Sequence, residues 1–310
     1  MKQKIIVVVG PTAVGKTALS IKVAKEFNGE IISGDSMQVY REMDIGTAKV
    51  TEQEMAGIPH HLIDILDPAD SFSVADFQKR VRESIREIAA RNKTVIIAGG
   101  TGLYIQSVLY DYQFAEEERN AIYQQRIESE IETKGIEAVY ERLKQIDPEQ
   151  AEKIHPNNKR RLIRALEVYD RTGKTMTEYQ QDQNEMLYDA YIVGLDMDRA
   201  VLYDRINARV DQMVEDGLLE EVKKLLDNGY EHTQSMRGIG YKELIPYYKG
   251  EISLEGALDL LKRNSRRFAK RQYTWFKNKM PVQWYSILPE TKEKVFRIIL
   301  SDLEGFLIKK

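Results

Sequence analysis

The chain has 310 residues, 42% of them hydrophobic and 31% charged, with no cysteine and a net charge of −3. This length suits one large domain or two medium ones, and the apolar content excludes disorder as the general state. The missing cysteines exclude disulfide frameworks, zinc ribbons, iron–sulfur clusters and thiol nucleophiles, and a near-neutral charge leaves nucleic-acid binding to local segregation of basic residues.

Ile5–Val9 is a β-branched run and predicts a strand buried on both faces, as in a parallel sheet. It is short and meets Gly10-Pro11-Thr12 rather than a small-residue cleavage site, so its resemblance to a signal peptide is expected to be superficial. No apolar run approaches the ~18–20 residues of a membrane span. A cytoplasmic protein without membrane contact is expected, with a monomer as the default state. Thr17–Phe27 predicts a helix, Glu30–Ser33 a second strand, and the stretch to about Asp70 a loop. Ser73, with Asp76 three residues on, predicts a capped helix carrying Phe77, Val81, Ile85 and Ile88 on one stripe. Thr94–Ala98 predicts a third buried strand, ended by Gly99-Gly100-Thr101-Gly102. From Ala115 to about Tyr188 the pattern is helical and polar. Strand character returns at Ala190–Leu195. Asp198 then caps a long helix with a break at Gly217, and Ser253–Lys279 is a last long helix. The fold class expected is α/β: a P-loop NTPase-like parallel sheet flanked by helices, with an all-helical insertion. Residues 1–112 and 190–310 form the core and 113–189 the insertion.

Gly10-Pro11-Thr12-Ala13-Val14-Gly15-Lys16-Thr17 is a complete G-x-x-x-x-G-K-[ST] motif between a strand and a helix. Its glycines let backbone N–H groups converge on phosphate oxygens, and the following helix turns its positive end to the same place. Lys16 supplies a cation and Thr17 a hydroxyl for Mg²⁺. Phosphoryl-transfer enzymes of this type usually hold Mg²⁺ with an acid ending a second strand. Here Thr94–Ala98 ends in Gly99-Gly100-Thr101 instead. The acid that does end a strand is Asp35. Carboxyl ends of parallel strands share one crevice, so Asp35, Thr101 and the phosphate loop should meet. Asp35 suits a base for a second substrate.

Several further stretches carry a resemblance. Gly10–Thr17, Ile32–Tyr40, Met43–Lys49 and Pro59–Asp64 are followed by Gly99–Tyr104, His155–Asn158, Arg161–Val168 and Arg237–Glu243. In this order, over nearly the whole chain, they resemble the bacterial tRNA dimethylallyltransferases. The resemblance implies transfer of a dimethylallyl group from dimethylallyl diphosphate to the exocyclic N6 of the adenosine 3′-adjacent to the anticodon. It implies that the loop (Gly10, Thr12, Ala13, Val14, Gly15, Lys16, Thr17) holds a diphosphate leaving group with Mg²⁺. It makes Asp35 the base, with Thr101 and Lys16 catalytic beside it, and gives contacts to the target base to Asp35, Ser36, Met37, Gln38 and Thr101. Arg237 becomes a second diphosphate contact. Lys159, Arg160, Arg161 and Arg164, in the insertion, would meet the anticodon loop.

Lys262–Lys279 contains eight Lys or Arg and no acid. Arg263, Arg266, Arg267, Lys270 and Arg271 recur at helical spacing and make a basic face for RNA phosphates, with Leu261, Phe268 and Trp275 on an apolar side. His155 reads as a turn residue and His60-His61 as structural. The rival readings are a P-loop small-molecule kinase, a transferase acting on free adenine nucleotides, and a non-catalytic RNA-binding module.

Overall fold

In the computed structural model, residues 2–112, 121–181 and 185–309 are described. The ends of the predicted helical stretch, at 113–120 and 182–184, lie outside them. The chain divides into two compact units, residues 1–109 with 187–310, and residues 110–186.

The first unit begins with β1 (Lys4–Val9), α1 (Lys16–Glu26), β2 (Gly29–Ser33), the single turn α2 (Glu52–Met55) and the short β3 (His60–His61). α3 (Val74–Ala90), β4 (Thr94–Gly99) and α4 (Gly102–Leu109) follow. Ser73 caps α3 through the predicted capping box: its hydroxyl accepts from Asp76 N, and the Asp76 carboxylate accepts from Ser73 N. Among the described residues the second unit's elements are the helices α5 (Ala121–Lys134), α6 (Ile136–Ile146), α7 (Pro148–Lys153), α8 (Lys159–Thr172) and α9 (Met176–Gln181). The chain returns to the first unit with β5 (Asp189–Asp196), α10 (Arg199–Glu215) and α11 (Leu218–Asp227). It ends with α12 (Ile245–Tyr248), α13 (Leu254–Lys279), β6 (Gln283–Ser286) and α14 (Lys292–Ile308).

The strands form one six-stranded sheet in the order β3-β2-β4-β1-β5-β6, and every pairing is parallel. The near-continuous apolar runs of β1 and β4 are what a strand covered on both faces requires. Ile5 to Val9 and Val95 to Ile97 are fully buried. One core on this sheet joins Ile6, Val8, Ile31 and Ile96 to Leu19 and Val23 of α1, Leu202 and Ile206 of α10, and Phe296, Ile299 and Leu303 of α14. Beyond their paired residues, β2 and β4 stay together, with Gly34 N donating to Ala98 O at 2.8 Å and Thr101 N to Gly34 O at 3.4 Å. A Cβ on Gly99 would stand 2.3 Å from the Gly34 carbonyl, so only glycine allows this approach. The loops that carry Asp35 and Thr101 are thereby brought together.

The helical unit has its own core of Tyr123, Ile127, Ile131, Val139, Leu143, Ile154, Leu162 and Leu166. Asp147 is buried within it, capping α7 and accepting from both the backbone and the hydroxyl of Thr177 at 3.0 and 2.6 Å. A buried carboxylate needs such partners to stay in place.

Candidate active site

The phosphate loop leaves β1 and enters α1 through three residues in the left-handed or wider positive-φ region, Gly10 (145°), Ala13 (65°) and Gly15 (109°). Lys16 Nζ donates back to the Gly10 and Pro11 carbonyls at 3.0 and 2.7 Å. The Val14 side chain is in the core, so its contribution to the cradle is its backbone.

A cleft at the carboxyl ends of the strands is lined by Thr12, Lys16 and Thr17 of this loop and by Ser33, Asp35 and Gln38. Gly99 and Gly100 of β4 and its turn, Thr47, Ala48, Val50, His60 and Ile63 line it too. Asp35 and the phosphate loop therefore share one site. Asp35 is in a turn, not at a helix start: its Oδ1 accepts from Met37 N at 2.8 Å. Ser36 N donates to Thr101 Oγ1 at 3.4 Å, which ties Thr101 to the same turn. Gln38 is anchored by Ser33 Oγ at 2.9 Å and by the Ala48 carbonyl at 3.2 Å.

The electrostatics of the cleft are those of charges taken out of water. Burial pushes the Asp35 carboxyl above the ordinary carboxylate range, against the Met37 N–H and the Lys16 and Arg209 cations, which pull it down. Burial, reinforced by Arg209, lowers Lys16 to about 7, with Asp35 opposing. An anion in the cradle would restore the lysine cation.

Arg209 is the functional residue that sequence reasoning missed. It lines the cleft, whereas Arg237 does not. The turn Ser235–Arg237 is held by its other members, with Ser235 and Met236 buried and Ser235 Oγ donating to the Pro68 carbonyl at 2.7 Å, so Arg237 is left exposed. A second cation at the cleft comes from α10. Arg205 donates to the Ala13 carbonyl at 3.0 Å, and Arg209, one turn on, faces the cleft. The signal was available, since two arginines at i, i+4 flank the apolar stripe of Leu202, Ile206 and Val210. The paired histidines separate by strand alternation. His61 meets the buried Glu30 carboxylate at 2.7 Å, with Arg91 on the same group at 2.8 Å, while His60 lines the cleft.

Among the described residues there is no cluster of His, Cys, Asp or Glu that could hold a metal by itself. Thr17, at the first turn of α1, is exposed, and its hydroxyl is the cleft group that could reach a cation together with substrate phosphates.

On α13 the buried residues are Ala257, Leu261, Ala269, Gln272 and Phe276. Phe268 and Trp275 are half-buried, and the Arg271 guanidinium stacks over Phe268 at 5.8 Å. Arg263, Arg267, Lys270 and Arg271 are exposed. Arg266 is turned to α10, its guanidinium donating to Asn207 Oδ1 at 2.6 Å. In the helical unit Lys159, Arg160 and Arg161 are exposed on the first turn of α8, capped by Asn158, whereas Arg164 pairs with the buried Glu167 at 2.7 Å. His155 accepts from Asn157 N at 3.2 Å, as a turn residue does.

Fold and cleft define a P-loop α/β protein in which the phosphate cradle is opposed by a lone carboxylate. The family model described as IPP transferase matches residues 38–279. A tRNA dimethylallyltransferase of Oceanobacillus iheyensis is 57% identical over 100% of this chain and 99% of its own length. One from Bacillus cytotoxicus is 58% identical over 98% and 96%. The crystal structure of a tRNA isopentenylpyrophosphate transferase from Staphylococcus epidermidis covers 100% of both chains at 50% identity, with a TM-score of 0.72. A eukaryotic dimethylallyltransferase acting on tRNA superposes with a TM-score of 0.85 at 31% identity, over 98% of this chain and 79% of that one. The chain belongs to the IPP transferase family.

Proposed function

We propose that this protein transfers a dimethylallyl group from dimethylallyl diphosphate to N6 of the adenosine on the 3′ side of a tRNA anticodon. The observation that carries this reading is the pairing of Asp35 with the phosphate loop in one cleft, where β4 ends in glycine rather than an acid. A kinase needs a metal-binding acid there, whereas breaking a carbon–oxygen bond to a diphosphate does not.

In this mechanism the adenine N6 attacks the allylic carbon, the C–O bond breaks, and diphosphate leaves with the electron pair. Asp35 takes the N6 proton. The loop N–H groups, Lys16 and Arg209 hold the departing charge, a preorganised electrostatic stabilisation. Thr17 would hold Mg²⁺, whose positive charge would add to this stabilisation. A stacked base cannot reach such a cleft, so the adenosine is flipped out, and the loop of an RNA hairpin is where this costs least.

Two basic surfaces support an RNA acceptor. On α8, Lys159, Arg160 and Arg161 stand in the first turn with no acid among them. Cations at a helix N-terminus oppose its dipole by ~0.3–1 kcal/mol each, so their presence there points to an anionic partner. On α13 the exposed cations do the same. Replacing Arg267 and Lys270 with alanine is expected to weaken tRNA binding and to reduce the salt slope of the affinity by about 1 per lost phosphate contact. An unchanged slope would remove this helix from the RNA surface.

The reaction is tested on purified protein with Mg²⁺, offering labelled dimethylallyl diphosphate or labelled ATP to unmodified tRNA and to AMP. Label entering tRNA from the prenyl donor alone supports the proposal. Label entering AMP alone, or phosphate transfer from ATP without prenylation, would overturn it.

A further inference from the structure

The phosphate loop and the Thr101 turn are both gripped by a single buried side chain of α13. Thr12 N donates to Gln272 Oε1 at 2.9 Å, and Gln272 Nε2 donates to the Gly100 carbonyl at 3.0 Å. The amide orientation is forced, because an N–H can only donate and a carbonyl can only accept. Gln272 is 5% exposed. The space it fills is exclusive: a Cβ on Gly100 would lie 2.1 Å from Nε2. One helical turn on, the Trp275 ring stands where a Cβ of Gly102 would be, 2.2 Å from Cδ1. The two glycines that bracket Thr101 are therefore demanded by two residues of α13 at i and i+3.

From this geometry we infer that Gln272 is a positioning residue for the transfer: it sets the phosphate loop and the Thr101 turn against each other from α13. The inference rests on the functional reading above and deepens it. Gln272 is buried, and both ends of its amide are taken by backbone groups. Its amide acts through Thr12 and Gly100, which line the cleft with Asp35, Lys16 and Arg209. The same helix exposes Arg267, Lys270 and Arg271 one to five residues before it, so the element that fixes the cradle is also a basic surface.

The test uses the full chain with two variants. Gln272→Met keeps the length of the side chain and removes both hydrogen bonds. It is expected to lower kcat/KM for the prenyl donor, and the affinity for Mg²⁺-pyrophosphate in calorimetry, by about 10- to 100-fold, as for a buried polar group left unpaired. The Kd for tRNA is expected to be unchanged. Gln272→Glu mimics the amide only while protonated. Ionised, it cannot donate to Gly100 O and sets a negative charge beside the cradle. Its activity relative to wild type should be near one at acid pH and fall as pH rises. The Lys16 and Asp35 titrations are present in both proteins, so the ratio reads what the new carboxyl adds: its own ionisation and its pull on those two neighbours. A constant ratio across pH, or wild-type pyrophosphate affinity in both variants, would overturn the inference. If wild type itself transferred no prenyl group, the functional reading would fall, and the pyrophosphate titration would still decide the role of Gln272.

Discussion

Asp35→Ala is expected to lower turnover by about 10²–10⁴-fold, the range for loss of a general base, while tRNA binding survives. The site offers no substitute: among the described residues that line the cleft, Asp35 is the one carboxylate. Asp35→Asn separates the two things this side chain does. An asparagine oxygen can still accept from Met37 N, so the turn that presents Ser36, Met37 and Gln38 is kept, and only the proton acceptor is lost. Both variants should therefore be slow, with Asn the better folded. The pH dependence follows from burial. The carboxyl is held above its ordinary range, and it must be ionised to take a proton. Activity should thus fall on the acid side at a higher pH than an exposed aspartate would give, and this limb should vanish in the residual activity of the variants. Single-turnover rates with saturating donor are the measurement. Wild-type turnover by Asp35→Asn would remove Asp35 as the base.

Much of this site is legible in the chain because its parts are local. A phosphate loop is made of consecutive backbone N–H groups, so its eight residues declare it, and strand ends that point one way in a parallel sheet put Asp35 and Thr101 beside it. The elements that escaped reading are short or are decided by partners distant in sequence. β3 is two residues, His60 and His61, and is a strand only because Ile31 and Ile32 pair with it. β6 is a four-residue edge strand with no buried residue, and so lacks the apolar run that betrayed β1 and β4. α14 carries a regular stripe of Phe296, Ile299 and Leu303, but it lies beyond Ser253–Lys279, the last helix expected from the sequence. Arg209 and Gln272 are the instructive cases. Each sits on a helix whose pattern was read correctly, and each reaches the cradle across long sequence separation; Gln272 contacts Thr12, 260 residues away. Arg237 was favoured because it stands in a glycine-rich turn, yet packing of its neighbours leaves it exposed, while the arginine on a plain helical flank enters the cleft.

Lys16→Met should reduce kcat/KM for the donor by about 10²–10³-fold, as when one preorganised charge-stabilising group is removed. The same change should make the ligand-free protein more stable. Lys16 is half-buried, with no carboxylate bonded to it among the described residues, its Nζ resting on the Gly10 and Pro11 carbonyls. Desolvation in the cleft holds its folded pKa at about 7, below the ordinary lysine value of 10.5. Between those values the unfolded chain binds more protons, so the stability of the wild-type protein rises with pH across that window. Methionine has no such slope. The advantage of Lys16→Met is therefore largest at and below pH 7 and shrinks toward pH 10.5, which denaturant melts in EDTA at several pH values would show. Diphosphate reverses the balance by supplying the missing counter-charge. Lys16 should take up a proton as pyrophosphate binds above pH 7, visible in calorimetry as a heat that varies with the ionisation enthalpy of the buffer. That dependence should weaken in Lys16→Met. In Asp35→Asn, where a group that raises the lysine pKa is gone, it should begin at lower pH. Buffer-independent heats for wild type would mean that the cradle lysine is already fully charged before its ligand arrives.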